Sequence, residues 1–222
     1  MISRFYFKNK KSKSPKRITG FSLPELIVVM TIITIILTAL VIRQKTFQER
    51  FRIDDKVYDL VLYFRKAQSY TLGVKEFTCS TNSTKSFPSY GVFFKTTNAS
   101  DRDRFHFFVD QNNNGLYGSP ESDSGSCYTE TTIIGTPGID RICGYNSSAV
   151  RLCWPNDASG PNQIAVTFKR PDPRPTVNFL SASGTILPLV PPVEVYFKYP
   201  TQSGETKVIM EATGQVSVSY VP

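Results

Sequence analysis

The chain has 222 residues, room for one or two structural units, and its 40% hydrophobic and 20% charged content is ordinary for a folded protein. A formal charge of +8 hints at nucleic acid or membrane, but seven of the 26 basic residues fall in the first twenty positions, where no acid occurs. The remaining 202 residues are nearly neutral, with 19 basic and 18 acidic residues, so net charge gives no ground for a DNA-binding body.

The first predicted element is this basic segment, 1–20, closed by Gly20. An apolar run comes next. Phe21 to Ile42 is 22 residues with a single charge, Glu25. As a helix it would reach about 33 Å, enough to cross hydrocarbon. A cleaved secretory signal would be shorter and would end in small residues of the A-x-A kind. This run ends ALVIRQK, so we read 21–42 as a retained transmembrane span. The preceding lysines and arginines place the amino end in the cytoplasm, and everything after Arg43 outside.

An ionised acid within a membrane costs roughly 2.5–3.5 kcal/mol at depth and less near an interface. Either Glu25 sits solvated among headgroups, or a cation reaches it from elsewhere. Gly20 followed by FSLPELIVVM resembles the class III signal of type IV prepilins and type II secretion pseudopilins. The resemblance implies that a prepilin peptidase cuts between Gly20 and Phe21 and methylates the new amino group of Phe21. It also implies that Glu25 neutralises the amino terminus of an adjoining subunit. Pro24 stands where the family more often has leucine or isoleucine, and proline is tolerated in a first helical turn. The partners implied are the peptidase, other pilin or pseudopilin subunits, and inner-membrane assembly machinery. The implied location is the cytoplasmic membrane, then a pilus or pseudopilus.

Helix is expected to continue over 43–72 as an amphipathic half. Ile53, Val57, Leu60, Phe64 and Ala67 recur at steps of four and three, and Gly73 is the predicted stop. Phe47 and Phe51 lie off that stripe.

Residues 73–222 read as an outside head domain rich in β-strands. Alternation marks Tyr90–Val92–Phe94, Phe105–Phe107–Val109, Ile164–Val166–Phe168, Val193–Val195–Phe197 and Val216–Val218–Tyr220 as half-buried strands of an antiparallel sheet. Turns are expected at NNNG, GTPG, PNDASGPN, RPDPRP, LPLVPP and QSGE. The fold class is therefore α+β, a long amino-terminal helix packed on an antiparallel head, which is pilin-like. FRKAQSYTLGV, QIAVTFKRPDP and EATGQVSVS are loosely similar to H-type minor pseudopilins and related minor pilins.

Within the head, Asp110, Asn112, Asn114, Gly115 and Glu121 match the spacing of a calcium loop, with Leu116 offering its carbonyl. Only two of these ligands are charged, and an Asn-Gly hairpin turn explains most of the same residues. Four cysteines lie on the outside portion, where disulfides persist, and three pairings are open. CGYNSSAVRLC reads as a hairpin with bridgeable ends, so Cys143–Cys153 is preferred and Cys79–Cys127 would complete the set. A reduced, buried set is the alternative. Lys169, Arg170 and Arg174 form a small basic group interrupted by Asp172, more readily a solvated loop than a DNA site. The sole histidine, His106, alternates with Phe105 and Phe107, and nucleophile-elbow, phosphate-loop and dinucleotide signatures are absent, so no catalysis is expected. The expected function is a structural minor pilin or pseudopilin. The rivals are a DNA-binding minor pilin for DNA uptake and a membrane-anchored calcium-binding module.

Overall fold

A computed structural model of the chain describes residues 20, 22–78, 85–118, 129–135, 138–199 and 204–221. Two compact units divide between Gln44 and Lys45. Helix α1, Leu23–Leu72, gives its first part to the first unit and its remainder to the second.

In the first unit the helix is unburied from Leu23 to Val41, a 19-residue span of mean hydropathy 2.4. Its hydroxyls are satisfied within the helix. Thr31 donates to the Val28 carbonyl at 2.8 Å, Thr34 to Met30 at 2.7 Å and Thr38 to Thr34 at 2.8 Å. A segment that must keep every polar group paired away from water can carry threonines on these terms.

The second unit contains β1 (Phe77–Thr78), β2 (Lys85–Ser86), β3 (Ser89–Lys95), a short helix α2 (Ala99–Arg102), β4 (Arg104–Asp110) and β5 (Thr129–Ile133). Next come β6 (Ile139–Tyr145), β7 (Arg151–Trp154), β8 (Gln163–Lys169), β9 (Asp172–Leu180), β10 (Ile186–Leu187), β11 (Val190–Lys198), β12 (Glu205–Met210) and β13 (Val216–Val221). Every pairing among the described residues is antiparallel. The expected single sheet is two larger ones, ordered β10-β9-β8-β3-β4-β5 and β13-β12-β11-β6-β7, beside the small β1-β2 pair.

The buried stripe of α1 is Ile53, Val57, Leu60, Phe64 and Ala67, joined by Val61. It enters one core with residues of both large sheets, among them Phe94, Phe105, Phe107 and Phe168 from the first and Ile142, Val195, Phe197 and Val208 from the second. Burial of each such side chain contributes about 1.5–3 kcal/mol. Phe64 meets Phe94 with ring centroids 5.9 Å apart, and Tyr63 meets Phe105 edge-on at 5.2 Å. Thr71 ends the stripe. Its hydroxyl donates to the Ala67 and Phe168 carbonyls and accepts from the Tyr90 amide.

Several expectations need correction. The central strands are closed on both faces rather than half-buried, because Leu116 and Tyr117 fold over Phe93, Phe108 and Ala165. Gly91 leaves the space that Phe108 occupies; a Cβ there would stand 2.5 Å from the Val166 carbonyl oxygen and 2.8 Å from the Phe108 ring. RPDPRP is only partly a turn, since β9 begins at Asp172, and LPLVPP runs from β10 into β11. Sheet pairing with β8 and β6 holds these proline-bearing segments extended. Helix α1 does end at Leu72, with Gly73 next, as the sequence suggests. Val74 (φ 56) takes the left-handed conformation, and the Val74 and Lys75 amides turn back to the Thr71 and Tyr70 carbonyls.

Candidate functional site

The amino-terminal site begins at Gly20. This residue is exposed, and an added Cβ would meet nothing within 4 Å, so the described fold does not itself demand glycine there. Ser22 precedes the helix, and its carbonyl accepts the Leu26 amide at 3.1 Å. Pro24 occupies the first turn, where its missing N–H leaves no helical bond unmade. Glu25 lies in the same turn and is exposed. The amides of a helix start favour an anion, which gives Glu25 a local reason for its place. Ser22 and Glu25 also have the spacing of a capping box, a local signal that the pattern of apolar residues does not reveal. Phe21 and leader residues 1–19 lie outside the described residues.

The loop after β4 gathers Asp110, Asn112 and Asn114. Asp110 is buried, and its two oxygens accept the amides of Asn114 at 3.1 Å and Gly115 at 2.8 Å. Asn112 Oδ1 accepts the Asn114 amide and Asn114 Oδ1 the Leu116 amide. Asn113 adopts φ 57 and Gly115 φ 76, and Asn178 Nδ2 donates to the Gly115 carbonyl. These nested side-chain-to-backbone bonds define the turn. They also leave carboxylate and amide oxygens close together, as a hard cation would require. Glu121 lies outside the described residues.

Cys143 and Cys153 face each other on β6 and β7 and are joined by a disulfide. Cys79 and Cys127 lie outside the described residues. Beside the bridge, Glu194 is buried, with Lys207 Nζ at 2.9 Å and the Tyr196 hydroxyl at 3.0 Å. The two arginines of the basic group at the β8–β9 turn are engaged with their own chain. Arg174 grips Asp172 through several bonds, the shortest 2.6 Å, and Arg170 donates to the Phe87 carbonyl at 3.1 Å. Arg174 thereby holds the Asp172 carboxyl below its usual range. His106 stacks on Tyr117, ring centroids 5.3 Å apart, with Nδ1 2.9 Å from Thr131 Oγ1. Burial, with Arg104 second, pushes its pKa down. Among the described residues, no three His, Cys, Asp or Glu side chains gather into a metal-binding group.

One further cluster is invisible in the sequence. The Tyr199 hydroxyl donates to Asp54 Oδ1 at 2.5 Å, and Thr206 Oγ1 lies 3.5 Å from the same oxygen. Nothing local in the sequence links position 54 to 199 and 206.

Comparison with known proteins places a class on these features. The family model described as the prokaryotic N-terminal methylation motif matches residues 15–41. The chain thus carries the type IV pilin and pseudopilin signal, on a helix apolar enough for membrane anchoring. No curated protein and no solved structure matches it.

Proposed function

We propose that the chain is a minor pilin or pseudopilin, a structural subunit and not an enzyme. A prepilin peptidase cuts between Gly20 and Phe21 and N-methylates Phe21. The head domain lies outside the cytoplasmic membrane on a single span. Inner-membrane machinery then draws subunits into a type IV pilus or a type II secretion pseudopilus.

The observation that carries this reading is the methylation motif over 15–41 with Glu25 in the first turn of an unburied apolar helix. A lone carboxylate at the head of a membrane span needs a cation. Cleavage creates one at Phe21, and assembly pairs it with Glu25 of a neighbour. The lack of a fold-imposed need for Gly20 agrees with that residue being read by an external enzyme. Its assignment as a minor rather than a bulk subunit rests on the resemblance to H-type minor pseudopilins.

Mass spectrometry of the protein from a host with active peptidase tests the proposal. The expected amino terminus is N-methylated Phe21. An intact leader as the only mature form overturns it.

A further inference from the structure

Among the described residues, the two large sheets of the second unit end in four edge strands: β10, β5, β13 and β7. Exposed edges invite another chain to pair, and proteins shield them with short strands, charges or prolines. Strand β10 has two residues, and β7 has four and includes Arg151. Strand β5 carries Glu130, which Lys66 ties to α1 at 2.7 Å. Strand β13 differs. Its six residues, VSVSYV, contain no charge, proline or glycine. Along an antiparallel edge, alternate N–H and C=O groups point away from the partner strand. No described strand pairs with that side of β13.

Beside this edge lies a cavity of about 270 Å³, lined by Asp54, Tyr58, Tyr199, Thr206, Val218 and Tyr220. Val218 and Tyr220 are alternate residues of β13 and so lie on one face. Tyr199 and Thr206 are buried at the base and hold Asp54 Oδ1. Tyr58 and Tyr220 stand 61% and 48% exposed at the mouth. The rings of Tyr199 and Tyr220 are 6.4 Å apart. Gly204 makes room for this wall, because a Cβ there would lie 2.4 Å from the Tyr220 hydroxyl. Three phenol rings around a carboxylate attract a cation and repel an anion.

We propose that β13 is a docking edge for an extended peptide segment of a partner protein, and that the Asp54–Tyr58–Tyr199–Tyr220 pocket receives a lysine or arginine side chain from that segment. An added strand sends every second side chain to the face that bears Val218 and Tyr220. Backbone bonds then supply affinity and the pocket supplies selectivity. The inference rests on the second unit alone, the outer part of α1 with the strands it packs on, and stands or falls independently of the amino-terminal processing.

The test uses the full chain in detergent micelles and a fluorescent peptide, acetyl-TVTKTVT-amide, beside the same peptide with norleucine for lysine. Anisotropy is expected to give a Kd below about 1 mM for the lysine peptide and about tenfold weaker binding for norleucine. Amide exchange over 216–221 should slow on binding. Asp54→Asn and Tyr58→Ala should each reduce the lysine peptide to the norleucine level, and the exposure of Tyr58 protects the second variant from misfolding. Equal affinity for the two peptides, binding without slowed exchange at 216–221, or no binding up to about 1 mM overturns the proposal.

Discussion

Lys66 Nζ lies 2.7 Å from Glu130 Oε2, joining the last two turns of α1 to the edge strand β5 across 64 positions of sequence. The Tyr63 hydroxyl donates to the other oxygen of Glu130 at 2.5 Å, and Lys66 stands 4.6 Å from the centre of the Phe107 ring. Burial works against the Lys66 charge, but Glu130 outweighs it and holds the ammonium above its ordinary value of 10.5. Burial raises Tyr63 as well, aided by Glu130. Both folded-state values exceed the unfolded ones, so this stability is full below the unfolded values and is lost as pH rises through the folded ones. Glu130→Gln is expected to cost about 0.5–1 kcal/mol at neutral pH and to flatten the alkaline loss. Denaturant titrations at neutral and alkaline pH check both.

His106 predicts the opposite limb of the pH profile. Its folded pKa lies below the ordinary 6.5, chiefly through burial. The unfolded chain therefore binds the proton first as pH falls. Stability is full above 6.5 and declines as pH drops from there through the folded value. Because this is the only histidine, one imidazole resonance reports the titration directly. An NMR midpoint at or above 6.5 would contradict the burial argument, and His106→Gln should remove this part of the acid slope.

Gly91→Ala should be among the costliest single-methyl additions in the head. The new Cβ would press on the Val166 carbonyl and the Phe108 ring in the centre of the six-stranded sheet, where backbone cannot retreat. The expected loss is about 1–3 kcal/mol, read as a lowered midpoint in thermal or denaturant unfolding. An unchanged midpoint would mean that the β3–β8 spacing is looser than described.

Asp110→Ala should destabilise the head even in the presence of a chelator, because the Gly115 amide loses its acceptor and the Asn114 amide keeps only Asn112 Oδ1. A loss of roughly 1–3 kcal/mol is expected. Calcium titration of the unchanged protein examines the other use of the same oxygens. A rise in midpoint that Asp110→Ala abolishes would assign a metal to the loop.

Glu25→Ala should leave membrane insertion intact while filament incorporation falls, since the apolar span is unaltered and only its anion is lost. Quantifying the variant in sheared filaments and in membranes separates the two. Unchanged incorporation would overturn the assembly role proposed for Glu25.

The α1 stripe and five of the longer strands were legible because their signals are local. Ile53 through Ala67 repeats with the helical period, and Tyr90, Val92 and Phe94 with the strand period. Strands β9 and β12 were missed. Asp172–Leu180 carries two prolines in its first half, and Glu205–Met210 mixes charged and apolar residues, so neither announces a strand. The CGYNSSAVRLC hairpin was legible from its two cysteines, which face each other in register.

Residue order was enough to specify the amino-terminal region: an apolar helix, Leu23–Val41, and a methylation motif that matches over 15–41. Such features depend on neighbours a turn or two away. Long-range packing settled the rest: Tyr117 closes the outer sheet face, and Asp54 meets Tyr199 and Thr206. Those outcomes turn on which distant strands pair and which loop covers them, and contacts of that kind leave no periodic trace in the residues they join.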